Sequence, residues 1–312
     1  MNIYEQARGN RRATWFLVVL FILLFLILGL GLDLHFGAGA KAPVFTVIAL
    51  IFGFASSYAG FYYGDRLILS SAHAKELDLD NPRQRQWQNV VEEMSIASGI
   101  PLPKTFIIDD PDPNAFATGR DPEHSSIAVT RGLLEELNRD ELQGVAAHEM
   151  SHIKNLDIRL MLLIAVLVGS VALISDWARR SLFYGERRRN SRQGGSGAAG
   201  LIILAIWLVA VVLAPLLSQL MAMFVSRRRE YLADATGAEF TRNPLALASA
   251  LEKIDARSQP TRSINQGSAH LCICDPKGHA LAGREGMVAE LFSTHPPINR
   301  RIEALKEMAY LK

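Results

Sequence analysis

Four long apolar runs limit what this chain can fold into more than any other feature. They cover Thr14 to Leu32, Ala42 to Gly64, Leu160 to Ser175 and Leu201 to Val225. A helix that crosses a bilayer needs about 20 apolar residues, with a range of about 17–25. The first, second and fourth runs meet that length. The third, at roughly 16 residues, reaches about 24 Å against a hydrocarbon core of about 30 Å. It either spans with local thinning of the bilayer or begins deeper within protein. The first run is too long for a cleaved leader, and no small-x-small site follows it. The apolar share of the chain, 49%, is ordinary; its clustering is not.

Charge sets the orientation. Arg8, Arg11 and Arg12 precede the first run, whereas the loop from Asp33 to Lys41 carries one lysine. The excess of positive charge places the N-terminus in the cytoplasm and that loop outside. The second run returns inward, with Tyr58, Phe61, Tyr62 and Tyr63 as an interfacial aromatic belt. Residues 65–154 then lie inside. The third and fourth runs leave and return. Their connection holds Arg179, Arg180, Arg187, Arg188, Arg189 and Arg192, which an external position does not favour. Either the earlier helices dominate the topology, or this hairpin dips in without crossing. In both cases it returns to its starting side. Gly194 to Gly197 makes the loop tip flexible, Pro215 kinks the fourth run, and Arg227 to Arg229 anchor the inner interface.

The polar stretches read as mixed α and β. Gln84 to Ala97 is amphipathic and stops at Gly99. Pro103 to Asp109, Pro113 to Gly119 and Ser126 to Thr130 read as short strands. The small alternating residues of 114–118 suit either a short loop strand or an edge that another backbone can approach. Pro244 to Arg257 is a further amphipathic helix, and Thr294-His295-Pro296-Pro297 opens a last one running to about Tyr310. The expected division is residues 1–64 with two membrane helices, 65–159 as the first part of a catalytic domain, 160–226 as a hydrophobic hairpin, and 227–312 as the second part of that domain. The fold class is α+β, predominantly helical, in a multi-pass membrane protein with a small β-sheet.

Within this frame His148-Glu149-Met150-Ser151-His152 carries chemistry. Asn138 and Glu141 have the spacing of a capping box, and good helix formers follow. On a helix, residues i and i+4 share a face, so both imidazoles can meet one metal ion. Glu149 sits beside that face, within reach of a water on the metal. A catalytic zinc site needs a third protein ligand and an open position. Glu230 and Asp234 are again i and i+4. Alone they are an ordinary solvated acidic face. Here the hydrophobic hairpin places His152 just before one membrane helix and Glu230 just after the other, on one side of the bilayer. Glu230 can therefore be the carboxylate ligand, with Asp234 accepting a hydrogen bond from a ligand histidine.

Other chemistries find less support. A net charge of +2 gives no pull toward nucleic acid. Only Cys272 and Cys274 are present, too few for a disulfide framework and too close for a zinc ribbon, so they read as packed apolar residues. There is no Walker loop or dinucleotide fingerprint, and no run carries the mid-membrane charges of a transport pathway.

Taken together, Asn-Ala-Phe-Ala-x-Gly at 114–119, His-Glu-x-x-His at 148–152, Glu-x-x-Ala-Asp at 230–234 and His-Pro-Pro-x-x-x-Arg-Ile at 295–302 occur in an order that resembles the membrane zinc metalloproteases of the HtpX type, relatives of the CAAX prenyl protease. The resemblance covers nearly the whole chain. It implies a gluzincin-like catalytic domain facing the cytoplasm, one Zn2+ held by His148, His152 and Glu230, Glu149 as general base, and Asp234 behind the ligands. From the residues alone His295 is a helix-start residue. The resemblance instead places it with Arg301 near the tetrahedral oxyanion or as a brace for the site. Asn114, Ala115 and Phe116 would line an edge strand to which substrate backbone pairs. The implied activity is peptide hydrolysis in the cell membrane, on unfolded or misfolded membrane proteins, with no nucleic-acid partner. The alternatives are a narrow-specificity processing protease and an inactive membrane scaffold. The arginine-rich loop and the Cys-x-Cys have no counterpart in the motifs.

Overall fold

The computed structural model describes residues 3–36, 42–167, 227–257, 272–273 and 296–310. The fourth apolar run, the third beyond residue 167, the arginine-rich loop, Cys274 and His295 lie outside these residues.

Helices α1 (Ile3–Phe36) and α2 (Val44–Ser71) form an antiparallel hairpin. Both hold a window long and apolar enough to cross a membrane, Arg8–Ile27 and Val44–Ser71. Asp33, expected to begin the connecting loop, lies inside α1. Its carboxylate accepts from the Phe45 and Thr46 backbone N–H groups at 3.0 and 2.9 Å, and from the Thr46 hydroxyl at 2.6 Å. It thus caps the positive end of α2 from across the hairpin. Small residues set the helix spacing. A Cβ on Gly60 would fall 2.7 Å from Val166, and one on Gly64 2.8 Å from Leu162. Both neighbours belong to a helix that starts at 157 and is described to 167 (α6). Without a Cβ at these two positions, the Val166 and Leu162 side chains of α6 seat directly on the α2 backbone.

The sheet has four strands, β1 (Lys75–Glu76), β2 (Lys104–Ile108), β3 (Ala115–Gly119) and β4 (Ser125–Thr130), in the order β1-β2-β4-β3. β2 and β4 are parallel; the other pairs are antiparallel. β3 is therefore an outer strand. Strand alternation divides its side chains between two cores. Ala115 and Ala117, with Ile127 and Val129 of β4, join the main core of the helical domain. Phe116 and Ala128 point the other way, to Ile68 and Leu69 of α2, Met161 and Leu162 of α6, and Cys272. The sheet is thus a wall between the main helical core on one face and α2 and α6 on the other. Cys272 is packed apolar material, as its pattern suggested.

Among the described residues, six more helices complete the domain. α3 (Pro82–Ser98) starts earlier than its periodicity predicted, because the Asn81 side chain accepts from Arg83 N–H at 3.0 Å and Pro82 occupies the first turn. It ends at Gly99, whose φ of 69° is left-handed. α4 (Arg131–Glu136) follows β4 directly, capped by Thr130. α5 (Arg139–Lys154) carries the His-Glu-x-x-His and has the full Asn138/Glu141 capping box. Glu141 also accepts from Ser249 and Lys253 at 2.7 Å each, pinning α8 (Pro244–Arg257) to the start of α5. α9 (Ile298–Tyr310) lies against α8.

α7 (Arg227–Thr241) crosses α5 at Gly237, where a Cβ would sit 3.0 Å from the His148 backbone nitrogen. Backbone faces backbone there, so neither side has a flexible atom to yield. Gly237→Val is expected to destabilise the protein by about 1–3 kcal/mol through overpacking, read as a lowered Tm of the detergent-solubilised chain.

Candidate active site

α5 presents His148 and His152 one turn apart, with their Nε2 atoms 3.2 Å from each other. Glu230, in the first turn of α7, places Oε1 3.6 Å from His152 Nε2 and Oε2 3.9 Å from His148 Nε2. These three residues could hold a metal ion. A tetrahedral zinc with bonds of about 2.0–2.2 Å sets its ligand atoms roughly 3.3–3.6 Å apart. The observed separations bracket that figure, so the donor set fits zinc.

Both imidazoles have a carboxylate behind them. Asp234 Oδ1 lies 3.0 Å from His148 Nδ1. Asp157 Oδ2 lies 3.0 Å from His152 Nδ1. A carboxylate at Nδ1 keeps the proton there and leaves the Nε2 lone pair for a metal. Asp234 was legible from its spacing to Glu230. Asp157 was not, although it follows His152 by five residues. The chain must turn at Asn155-Leu156 before Asp157 can face back, and neither helical nor strand periodicity encodes that.

The field in the site favours positive charge between the imidazoles. Burial disfavours a charged His152, but the Asp157 hydrogen bond and the nearby Glu230 outweigh it and push its pKa up to about 9. His148 is shifted down, chiefly by burial, against the pull of Asp234. Glu149 is raised to about 7, by burial first and by the like charge of Glu230, with His152 and the Ala117 N–H acting in the opposite direction. Its two oxygens are buried and make no well-formed hydrogen bond among the described residues. A carboxylate so placed is a competent proton acceptor near neutral pH.

Arg301 of α9 is 1% exposed and grips Asp234 with both arms of its guanidinium, at 2.8 and 2.7 Å. It holds the Asp234 pKa below the usual range even though burial alone would raise it. Its third nitrogen lies 3.4 Å from Glu230 Oε2 and donates to the Ile273 carbonyl at 3.0 Å. Arg301, which the resemblance places near the oxyanion or as a brace for the site, thus pairs with Asp234. Arg229, expected to anchor the membrane interface, is instead turned inward and is 7% exposed. Burial lowers its pKa, and Asp157 and Glu230 oppose that shift.

Asn114, Ala115 and Phe116 stand at the outer edge of the sheet, close to α5. That edge is partly occupied. The Ile273 N–H donates to the Ala115 carbonyl at 3.0 Å, and Cys272 bridges Phe116 in antiparallel fashion. The Asn114 amide oxygen accepts from the Ala115 N–H at 3.0 Å. The expected substrate strand therefore meets this chain's own backbone at Ala115.

A helix pair able to cross a membrane, joined to a buried two-histidine, one-carboxylate cluster, is the build of a membrane metalloprotease. Residues 81–309 match Peptidase family M48, and the chain belongs to that family. Proteins described as protease HtpX homologs align along nearly its full length. The one from Caldanaerobacter subterraneus subsp. tengcongensis is 40% identical over 310 residues, 98% of either chain. That of Tropheryma whipplei is 44% identical, again over 98% of each. That of Lactobacillus acidophilus is 42% identical, over 98% of this chain and 100% of its own. The crystal structure of S. mikatae Ste24p superposes with a TM-score of 0.51 at 19% identity, covering 97% of this chain and 67% of that one, a likeness of fold alone.

Asp234→Asn keeps the shape but surrenders the charge that pairs with Arg301 and faces His148. Loss of such a supporting carboxylate is expected to weaken zinc binding about 10–100-fold, measured by competition with a chromophoric chelator.

Proposed function

We propose that the chain is a zinc-dependent endopeptidase acting at the cytoplasmic face of the cell membrane, on unfolded segments of misfolded membrane proteins. The observation that carries this is the buried Glu149 carboxylate, its pKa raised to about 7, beside the three-donor cluster of His148, His152 and Glu230. When bound there, zinc acidifies water and polarises a peptide carbonyl. Glu149 takes the proton of the attacking water and returns it to the departing amine. Arg301 steadies Asp234 and donates toward the site. Its hydrogen bond to the Ile273 carbonyl supports a role in holding a peptide carbonyl there. His295, from the resemblance, is assigned the second donor to the oxyanion.

The sidedness follows from the hairpin. α1 begins and α2 ends on the side where α6 leaves the zinc helix. Arg8, Arg11 and Arg12 on that side favour the cytoplasm. The β3 edge offers backbone groups rather than side-chain pockets, which favours loose sequence selectivity. A substrate backbone pairing there has to replace Ile273 at the Ala115 carbonyl.

Purified, zinc-loaded wild-type protein is expected to cut casein at many unrelated sites. Glu149→Gln should retain zinc and lose about 10²–10⁴-fold in rate. A fully active Glu149→Gln enzyme would sink the assignment, and cleavage confined to a single sequence would favour a processing protease. Because Glu149 must be ionised to accept a proton, kcat/KM should fall as pH drops below its pKa. A bound dication can only lower that pKa, so the acid limb is expected at or below about pH 7.

A further inference from the structure

The carboxylate behind His152 is itself held by the first membrane helix. Asn10 of α1 donates from its side-chain amide to Asp157 Oδ1 at 2.6 Å and to the Asn155 carbonyl at 2.9 Å. Its amide oxygen accepts from Arg229 at 3.5 Å. Asn10 is 7% exposed, on a helix whose window from Arg8 to Ile27 is apolar enough to span a bilayer. A buried amide on such a helix is costly unless its donors and acceptors are met. Here the catalytic domain meets them.

The place it touches is the turn between α5 and α6. Leu156 holds φ at 58°, a left-handed conformation that costs a non-glycine residue about 1–2 kcal/mol. Such strain persists only where the surroundings over-determine it. Asn10 ties the carbonyl on one side of Leu156 and the carboxylate on the other. The turn is what allows Asp157 to face back to His152. Below it, Ala13 and Leu17 of α1 pack on Leu160 and Ile164 of α6, fixing the helices that carry Asn10 and Asp157.

We propose that Asn10 is a positioning residue of the metal centre: acting through Asp157, it fixes the ring of His152, so that seating the first membrane helix is a condition for full metal affinity. Asn10 does not touch the metal or the substrate. The proposal rests on His148, His152 and Glu230 being the zinc ligands.

The test is a double-mutant cycle on the full-length protein in detergent, with zinc affinity read by chelator competition. Asn10→Ala should weaken zinc about 10-fold and Asp157→Ala about 10–100-fold. The double variant should be no weaker than Asp157→Ala alone, since the path from Asn10 is then already cut. Thr14→Val removes a buried hydroxyl one turn along α1 that, among the described residues, bonds its own helix at the Asn10 carbonyl. It should leave zinc affinity unchanged. With cobalt in place of zinc, Asn10→Ala should shift the visible ligand-field bands and Thr14→Val should not. Unchanged zinc affinity in Asn10→Ala overturns the proposal. So do additive losses in the cycle, or equal losses in Thr14→Val. A wild-type chain that binds no stoichiometric zinc overturns the ligand assignment instead, and this inference with it.

Discussion

The site depends on one crossing, where α7 lies on α5 with Gly237 against the His148 backbone. Residues 230, 234 and 237 occupy one stripe of α7, at the i, i+4 and i+7 spacing of a helix face. Bringing Gly237 into backbone contact with α5 therefore aims Asp234 and Glu230 along the same helix. Asp234 meets the outer nitrogen of His148, and Glu230 meets the inner nitrogens of both imidazoles. A side chain at 237 would lift the whole stripe away.

That convergence concentrates negative charge. Glu149, Asp157, Glu230 and Asp234 are all buried, and the buried guanidiniums facing them are Arg229 and Arg301. Among the described residues, four carboxylates face two guanidiniums, a formal difference of two charges with both histidines neutral, which a divalent cation would offset. Burying unbalanced carboxylates is expensive in a low dielectric, and the raised pKa values of Glu149 and His152 are the cluster's response to it. Arg301 contributes twice, neutralising Asp234 and holding a backbone carbonyl beside the three-donor cluster. The same electrostatic demand that makes the cluster uncomfortable alone favours a cation at its centre.

The membrane helices serve as part of the scaffold as well as an anchor. α2 lies close to α6 through Gly60 and Gly64, and the two supply one face of the core beneath the sheet. Phe116 of the edge strand belongs to that core while its neighbours Ala115 and Ala117 belong to the other. The outer strand is thus held from α2 and α6 on one face and from α5 on the other. Its register against α5 is thereby fixed without relying on the free edge.

The sequence by itself determined the local elements. Periodicity and capping residues located α3, α5, β2, β3 and β4 to within a few residues, since these depend on neighbours in the chain, whereas the two-residue β1 carried no such signal. The i, i+4 spacing of His148 with His152, and of Glu230 with Asp234, announced shared faces for the same reason. Apolar run length marked α1 and α2. Only the tertiary structure decided which side chains from distant elements meet. It joined Arg301 to Asp234, turned Asp157 back through a left-handed Leu156, set Asn10 against that turn, and laid Ile273 on the edge at Ala115. No local pattern encodes those contacts, because they follow from helix crossings set by packing, and a polar residue buried across such a crossing reads in the sequence like any surface residue.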